Sequence, residues 1–203
     1  MNFKSRFFVN LHQLCRIADV GDIPFESAFD IEKAHDEIFN FIGEMVKAGI
    51  VPLSCGGDHS VSLPILRAVA KQPLAFIHID AHTDTWDSFQ GSKFNHGAPF
   101  RRAHEEGLID ATKTVQIGIR GAQNVSEGWD YSKNAGMRVV FVEELQKRGV
   151  DEIVEETRSI VGDAPVYLSF DIDSLDPAFA PGTGTPEIAG LTTPEAMALI
   201  HLR

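Results

Sequence analysis

The sequence predicts an α/β fold: a three-layer α/β/α sandwich around a mainly parallel sheet. Three observations predict it. Apolar, β-rich runs recur without polar alternation, helical patterns lie between several of them, and acidic and histidine side chains gather where three of the runs end. Uniformly apolar strands are buried on both faces, as in a parallel sheet. Helices alternating with such strands cover the two faces.

Taken in order, the first strand-like runs are CRIADVG (15–21) and IVPLSC (50–55). Between them, SAFDIEKAHDEIFNFIGEMVKAG sets Ile31, Ala34, Ile38, Phe41, Ile42 and Met45 at helical spacing, with Gly49 as a C-terminal cap. Pro64 opens a second helix, LPILRAVAKQ, after serines able to cap it. The remaining strands are LAFIHID (74–80), TVQIGI (114–119), RVVFV (138–142) and PVYLSFD (165–171). Val150, Ile153, Val154, Thr157 and Val161 mark a third helix before Gly162. TTPEAMALIHLR starts as a helix at Thr192 or Thr193 before Pro194 and Glu195, but reaches Arg203 with no cap and no following strand. The chain has no repeat, low-complexity stretch or linker. Residues 1–203 therefore read as a single domain lacking N- and C-terminal portions, so that the sandwich is incomplete.

At 203 residues, 43% hydrophobic and 23% charged, the chain is long enough for a sizeable core. A net charge of -11 argues against nucleic acid or an anionic membrane as partner, since both need a basic footprint, and it suits a cationic ligand. Two cysteines, Cys15 and Cys55, make neither a disulfide framework nor a zinc ribbon; they read as core residues in a reducing compartment. No apolar run approaches the ~18 residues of a membrane span. MNFKSRFFVNLHQL lacks the features of a secretory signal. The reading is cytoplasmic, with a mitochondrial address left open.

Three strand ends carry the chemistry. GGDHS follows IVPLSC and holds Asp58 and His59; DAHTDT follows LAFIHI and holds Asp80, His82 and Asp84; PVYLSFDIDS holds Asp171 and Asp173. Ligands of open α/β sheets bind beyond the carboxyl ends of the strands, so the three clusters can share one crevice. Residues two apart on a strand point the same way, which aims Asp80, His82 and Asp84 at one site, and Asp171 with Asp173. Unpaired carboxylates held together repel unless a cation sits between them. Four carboxylates and two imidazoles exceed a tetrahedral zinc site and suit two harder ions with bridging carboxylates, Mn²⁺ first. GGDH or DxD alone would be a turn or a helix cap. His12, His35, His104 and His201 read as surface or packing residues, His78 as a satisfied core histidine, and the acids of 151–156 as a solvated face.

GGDHS, DAHTDT and SFDIDSLDPAFAPGTGTPE, in that order, resemble the three signature blocks of the ureohydrolases, the arginase and agmatinase family, from ADVGDI to Arg203. The resemblance implies two Mn²⁺ ions held by His59, Asp80, His82, Asp84, Asp171 and Asp173. Asp80 and Asp171 would bridge, with His59 and Asp84 on one ion and His82 and Asp173 on the other. It further implies attack of activated hydroxide on a guanidinium carbon, with His96 in NHGAPFRRA shuttling a proton to the leaving amine. The partner would be a small cationic guanidino substrate, and the assembly a homo-oligomer, a trimer or hexamer by family. GIRGAQNVSEGW carries Gly121, Ala122 and Gln123 where arginases have an acidic loop that reads the substrate α-amino group, which argues against an arginine-specific pocket; HGAPFRR, QIGIRG and PGTGTPEIAGLT most resemble agmatinase, with guanidinobutyrase-type enzymes as the alternative. Trp86, Asp87 and Phe89 are expected at the far end of the pocket. The family's later block, with an acid for the guanidinium, would lie beyond Arg203, which leaves open a truncated, non-catalytic metal-binding relative. A two-metal phosphohydrolase would need phosphate-binding cations, for which only Arg101, Arg102 and Arg120 are placed.

Overall fold

The computed structural model describes residues 11–26, 29–122 and 128–201. A short helix α1 (Leu11–Leu14) precedes the long helix α2 (Ile31–Lys47), and a 3₁₀ turn at His59–Val61 leads into α3 (Ser62–Val69). Then follow β1 (Leu74–Ile79), α4 (Pro99–Glu105), β2 (Ile109–Ile119), α5 (Gly128–Ala135) and β3 (Arg138–Phe141). The last elements are α6 (Val142–Arg148), α7 (Val150–Val161), β4 (Val166–Phe170), a second 3₁₀ turn at Ile172–Ser174 and α8 (Thr193–His201).

The four strands form one parallel sheet in the order β3-β2-β1-β4. Its two central strands, β1 and β2, are the apolar runs, and all six residues of β1 are buried. Ala75, Ile77 and Ile79 of β1, with Val115 and Ile117 of β2, pack on one face against Leu145 of α6, Ile153, Val154 and Val161 of α7, and Leu199 of α8. Phe76 on the opposite face packs with Leu63 and Leu66 of α3 and Phe100 and Ala103 of α4. Ile38 and Ile42 of α2 close over Ile65 of α3. This is the three-layer arrangement that the strand and helix pattern predicts.

Local chemistry sets the helix ends. Asp30 caps α2 by accepting from the Lys33 N–H, and the helix stops at Ala48, with Gly49 following at φ 74°. The Gly49 N–H bonds Val46 O and the Ile50 N–H bonds Met45 O, a paired closure that needs a left-handed residue where Gly49 stands. Gly162 ends α7 in the same region, at φ 56°.

Two expected strands are absent. CRIADVG is irregular because Asp19 Oδ1 accepts the Gly21 N–H at 2.9 Å and turns the chain. IVPLSC joins no ladder: Pro52 has no N–H to donate, and Ile50, Val51 and Leu53 stand 52%, 90% and 100% exposed. Cys15 and Cys55 lie on these irregular segments and are exposed, not in the core as their type suggests. Helices α4, α5 and α6, seven or eight residues each, are not among those that the sequence pattern predicts.

Ile153 is fully buried between α7 and the sheet. Ile153→Ala is expected to cost about 2–5 kcal/mol in urea-induced unfolding, with the denaturant dependence unchanged.

Candidate metal centre

The clustered acids begin where the strands stop. Beyond Ile79, Asp80 Oδ1 accepts the His82 N–H at 2.6 Å; beyond Phe170, Asp171 Oδ1 accepts the Asp173 N–H at 2.9 Å. Asp58 Oδ1 holds the Ser60 N–H in the same way at 2.8 Å. Each first aspartate spends one oxygen bending its own backbone. In Asp80 and Asp171 the second oxygen, Oδ2, faces the crevice, within 3.3 Å of His59 Nδ1. The pleat of a continuing strand, on which the period-two reading relies, therefore does not aim these side chains; Asx turns do. Asp84, the last of the series, sits at φ 50°, a left-handed conformation that aspartate tolerates better than most residues.

The turns bring the predicted residues together. His59 Nδ1 lies 2.8 Å from Asp84 Oδ2, 3.2 Å from Asp80 Oδ2 and 3.3 Å from Asp171 Oδ2. His82 Nδ1 lies 3.1 Å from Asp173 Oδ2 and 3.5 Å from Asp80 Oδ1. Asp80 thus belongs to both groups, one with His59, His78 and Asp84, the other with His82 and Asp173, and Asp171 joins the first through His59. Neighbours fix the rings. Ser169 Oγ stands 2.8 Å from His59 Nε2, and Glu187 Oε1 3.5 Å from His82 Nε2. Gly121 makes room for His82, since a Cβ there would come within 2.2 Å of the imidazole.

The donor set fits a metal. With Nε2 directed at Ser169, His59 Nδ1 is buried and has no aligned hydrogen-bond partner although three carboxylates surround it. A lone pair facing carboxylate oxygens is repulsive unless a proton or a cation lies between them. Oxygen-rich donors with two imidazoles and no thiolate match hard divalent ions of the Mn²⁺ type.

Protons replace the cation in the metal-free protein. Burial would lower the His59 pKa, but the Asp80 and Asp84 carboxylates override it and hold it well above the ordinary value. His82 is likewise raised to about 11 against burial, by Asp173 and Asp80. Burial pushes Asp80 upward, yet His78, His59 and His82 together hold it well below the carboxylate range. Burial and the Asp80 charge raise Asp84; burial, Asp80 and Asp173 raise Asp171 to about 6.

The cluster floors a cleft of about 630 Å³. Its wall includes Trp86, Phe89 and His96, whose rings form a triangle with centroids 5.6–6.4 Å apart. Asp58, Glu187 and the clustered acids also line it, and no lysine or arginine does among the described residues. Asp87, expected at the far end of the pocket, instead turns away to Arg102 at 2.9 Å. The three arginines considered for phosphate are otherwise engaged. Arg120 donates to the carbonyls of Gly118, Asp173, Ser174, Glu187 and Ile188, Arg102 pairs with Asp87 and Glu105, and Arg101 pairs with Glu105 and lies over Tyr131. Gln123, named with Gly121 and Ala122 in the sequence reading, lies outside the described residues. Glu187 and Ser169 lie within motif blocks, but only the folded chain reveals their contacts.

Comparison with known proteins matches the Arginase family over residues 2–202. The chain is 45% identical over 191 residues to the guanidino acid hydrolase, mitochondrial, of Homo sapiens, covering 93% of this chain and 54% of that protein. It is 47% identical over 187 residues to the agmatinase, mitochondrial, of Gallus gallus, covering 91% and 55%. Among solved structures, proclavaminate amidino hydrolase from Streptomyces clavuligerus superposes with a TM-score of 0.88 at 41% identity, over 96% of this chain and 65% of that one. The chain thus spans little more than half the length of these curated relatives.

The pKa directions set a pH dependence. Asp171, raised from 3.8 to about 6, holds a proton in the folded state that the unfolded chain has lost, so its contribution to stability falls as pH rises through about 6. His82 contributes fully below its unfolded value of 6.5 and loses that contribution as pH rises toward about 11. Asp80 acts oppositely, but only as pH falls below its unfolded value of 3.8. The chelator-treated protein should therefore melt at a higher temperature near pH 5 than near pH 8. Added Mn²⁺ should raise the Tm more at the higher pH, because bound ligands must be deprotonated. Calorimetry with and without metal checks both signs.

Proposed function

The chain belongs to the arginase family, and on that premise we propose that it serves the hydrolysis of a small cationic guanidino compound, agmatine first, to an amine and urea. The observation that carries the reading is the convergence of His59, Asp80, His82, Asp84, Asp171 and Asp173 on one acidic cleft, with Asp80 common to both halves. In this reading the six residues hold two Mn²⁺ ions. His59 and Asp84 would serve one ion, His82 and Asp173 the other, and Asp80 and Asp171 would be shared between them. When bound, such a pair supplies Lewis acidity that makes water a nucleophile at neutral pH.

The chain's own residues do the rest. The acidic cleft draws in a guanidinium and disfavours anions. Trp86 and Phe89 give the substrate an apolar wall and exclude water from its alkyl segment. His96, packed edge-on against both rings, is held at the wall of the cleft, where an imidazole can deliver a proton to the departing amine nitrogen. Without that proton an amine leaves poorly. Near-equal identity to an agmatinase and to a guanidino acid hydrolase supports a second reading, in which the substrate carries a carboxylate at its far end, as in a guanidinobutyrase-type reaction.

The test is urea release by the Mn²⁺-loaded chain from agmatine, 4-guanidinobutyrate and arginine. Agmatine is expected to be the best substrate; urea from none of them, with two metals bound, would leave a non-catalytic metal-binding relative. Asp80→Ala should abolish tight binding of both ions in a metal titration, and full occupancy in that variant would overturn the ligand assignment. His96→Ala should keep both ions and lower kcat by about 10²–10⁴-fold.

A further inference from the structure

His78 and Gln116 are wholly buried polar residues outside the six ligands proposed above. They are direct partners in the β1–β2 register, and Ser169 of β4 is the partner of His78 on its other side. A row of three polar side chains therefore crosses the sheet, one step before β1 and β4 end and three before β2 ends. Ser169 meets His59. His78 Nε2 lies 2.7 Å from Asp80 Oδ2. Gln116 Nε2 makes two contacts, 2.7 Å to the Thr83 carbonyl and 3.1 Å to His78 Nδ1.

These contacts admit one orientation. A carbonyl oxygen can only accept, so the Gln116 atom beside Thr83 O is the amide nitrogen; turning the amide over would press two acceptors together. The second N–H then points at His78 Nδ1, which must be the acceptor. The His78 proton is left on Nε2, where it is donated to Asp80. Gln116 Oε1 is buried without a partner, so the amide keeps both donations while its own carbonyl goes unsatisfied. The carbonyl it grips belongs to Thr83, immediately before Asp84 at its left-handed φ of 50°.

We propose that Gln116 is a positioning residue for the metal centre: one amide holds Asp80 through His78 and Asp84 through the Thr83 carbonyl. Two carboxylates from one loop are thereby tied to the neighbouring strand, so their separation is set by the β1–β2 register rather than by the loop. Partners behind metal ligands commonly govern affinity by 10–100-fold. This inference rests on the metal-centre reading above and adds a residue outside the three signature blocks.

The experiment compares Mn²⁺ titrations, followed by calorimetry and electron paramagnetic resonance, of the unsubstituted chain with Gln116→Met and Gln116→Glu. Both variants keep the length of the side chain; methionine removes both donors, and glutamate, with at most one proton on its carboxyl, cannot make both donations. At a temperature where circular dichroism shows all three metal-free proteins folded, each variant should bind Mn²⁺ about 10–100-fold more weakly. A merely structural role would lower the Tm and leave the affinity of the folded protein unchanged, which overturns the proposal. Should the variants fail to fold, nitrogen-15 spectra of the histidine-labelled, metal-free, unsubstituted chain decide: a proton on His78 Nε2 supports the relay, and one on Nδ1 overturns it. Failure of the unsubstituted chain to bind Mn²⁺ would overturn the metal reading and this one together. Unchanged binding in folded variants overturns this one alone.

Discussion

Carboxylate crowding around Asp80 is the constraint on which the rest of the site depends. Three further aspartates and three imidazoles stand within a few ångströms of it, and Asp80 itself is buried. Negative charges brought so close at low dielectric repel strongly, and the fold tolerates them only because something positive lies between. In the metal-free chain that role falls to protons, on imidazoles held far above their ordinary pKa and on Asp171 at about 6. A site that must be neutralised to be stable is a site prepared for cations. The same charge makes the cleft above it unfavourable for anions.

The sheet makes this crowding possible. Parallel strands present their carboxyl ends on one edge, so chain segments far apart in sequence open into the same crevice. Asx turns at Asp80 and Asp171 then spend one oxygen on the backbone and leave another for the site. Below them, Gln116, His78 and Ser169 replace apolar packing with a polar row near the ends of β1 and β4. Burying these groups costs stability unless each is bonded, and their bonds lead to His59, Asp80 and Thr83, so the cost is offset where geometry is needed. Arg120 does comparable work on the other side, gathering backbone carbonyls of the 173–188 loop. A guanidinium in that position is structural, although in the sequence Arg120 is one of three cations placed near the motifs.

Apolar surface is distributed less completely than the polar network. Ile50, Val51 and Leu53 are exposed, as are Val166 and Leu168 on the edge strand β4. Their sequence character is that of buried strands, but among the described residues 50–53 joins no ladder and β4 is paired only with β1, on one side. Hydrophobic pattern reports what a segment would gain by burial; whether a partner is present to bury it is a separate matter.

The sequence by itself determined the α/β class, β1 to β4, the helices α2, α3 and α7 and the start of α8, because each is long enough or apolar enough to carry its own period. It also singled out His59, Asp80, His82, Asp84, Asp171 and Asp173, since ligand-type residues at strand ends are rare outside sites and the motif order is specific. It misplaced CRIADVG and IVPLSC, where an Asx turn and a proline outweigh apolar content, and it put Cys15 and Cys55 in a core that those segments never enter. It set His78 aside as a core histidine and passed over Gln116. Only the tertiary structure decided that these two meet and lead to Asp80, that Asp87 turns to Arg102, and that Arg120 serves the loop. The physical reason is the range of the interactions: turns and periodicity act within a few residues, whereas a hydrogen bond from Gln116 to His78 exists only once β1 and β2 lie side by side in register.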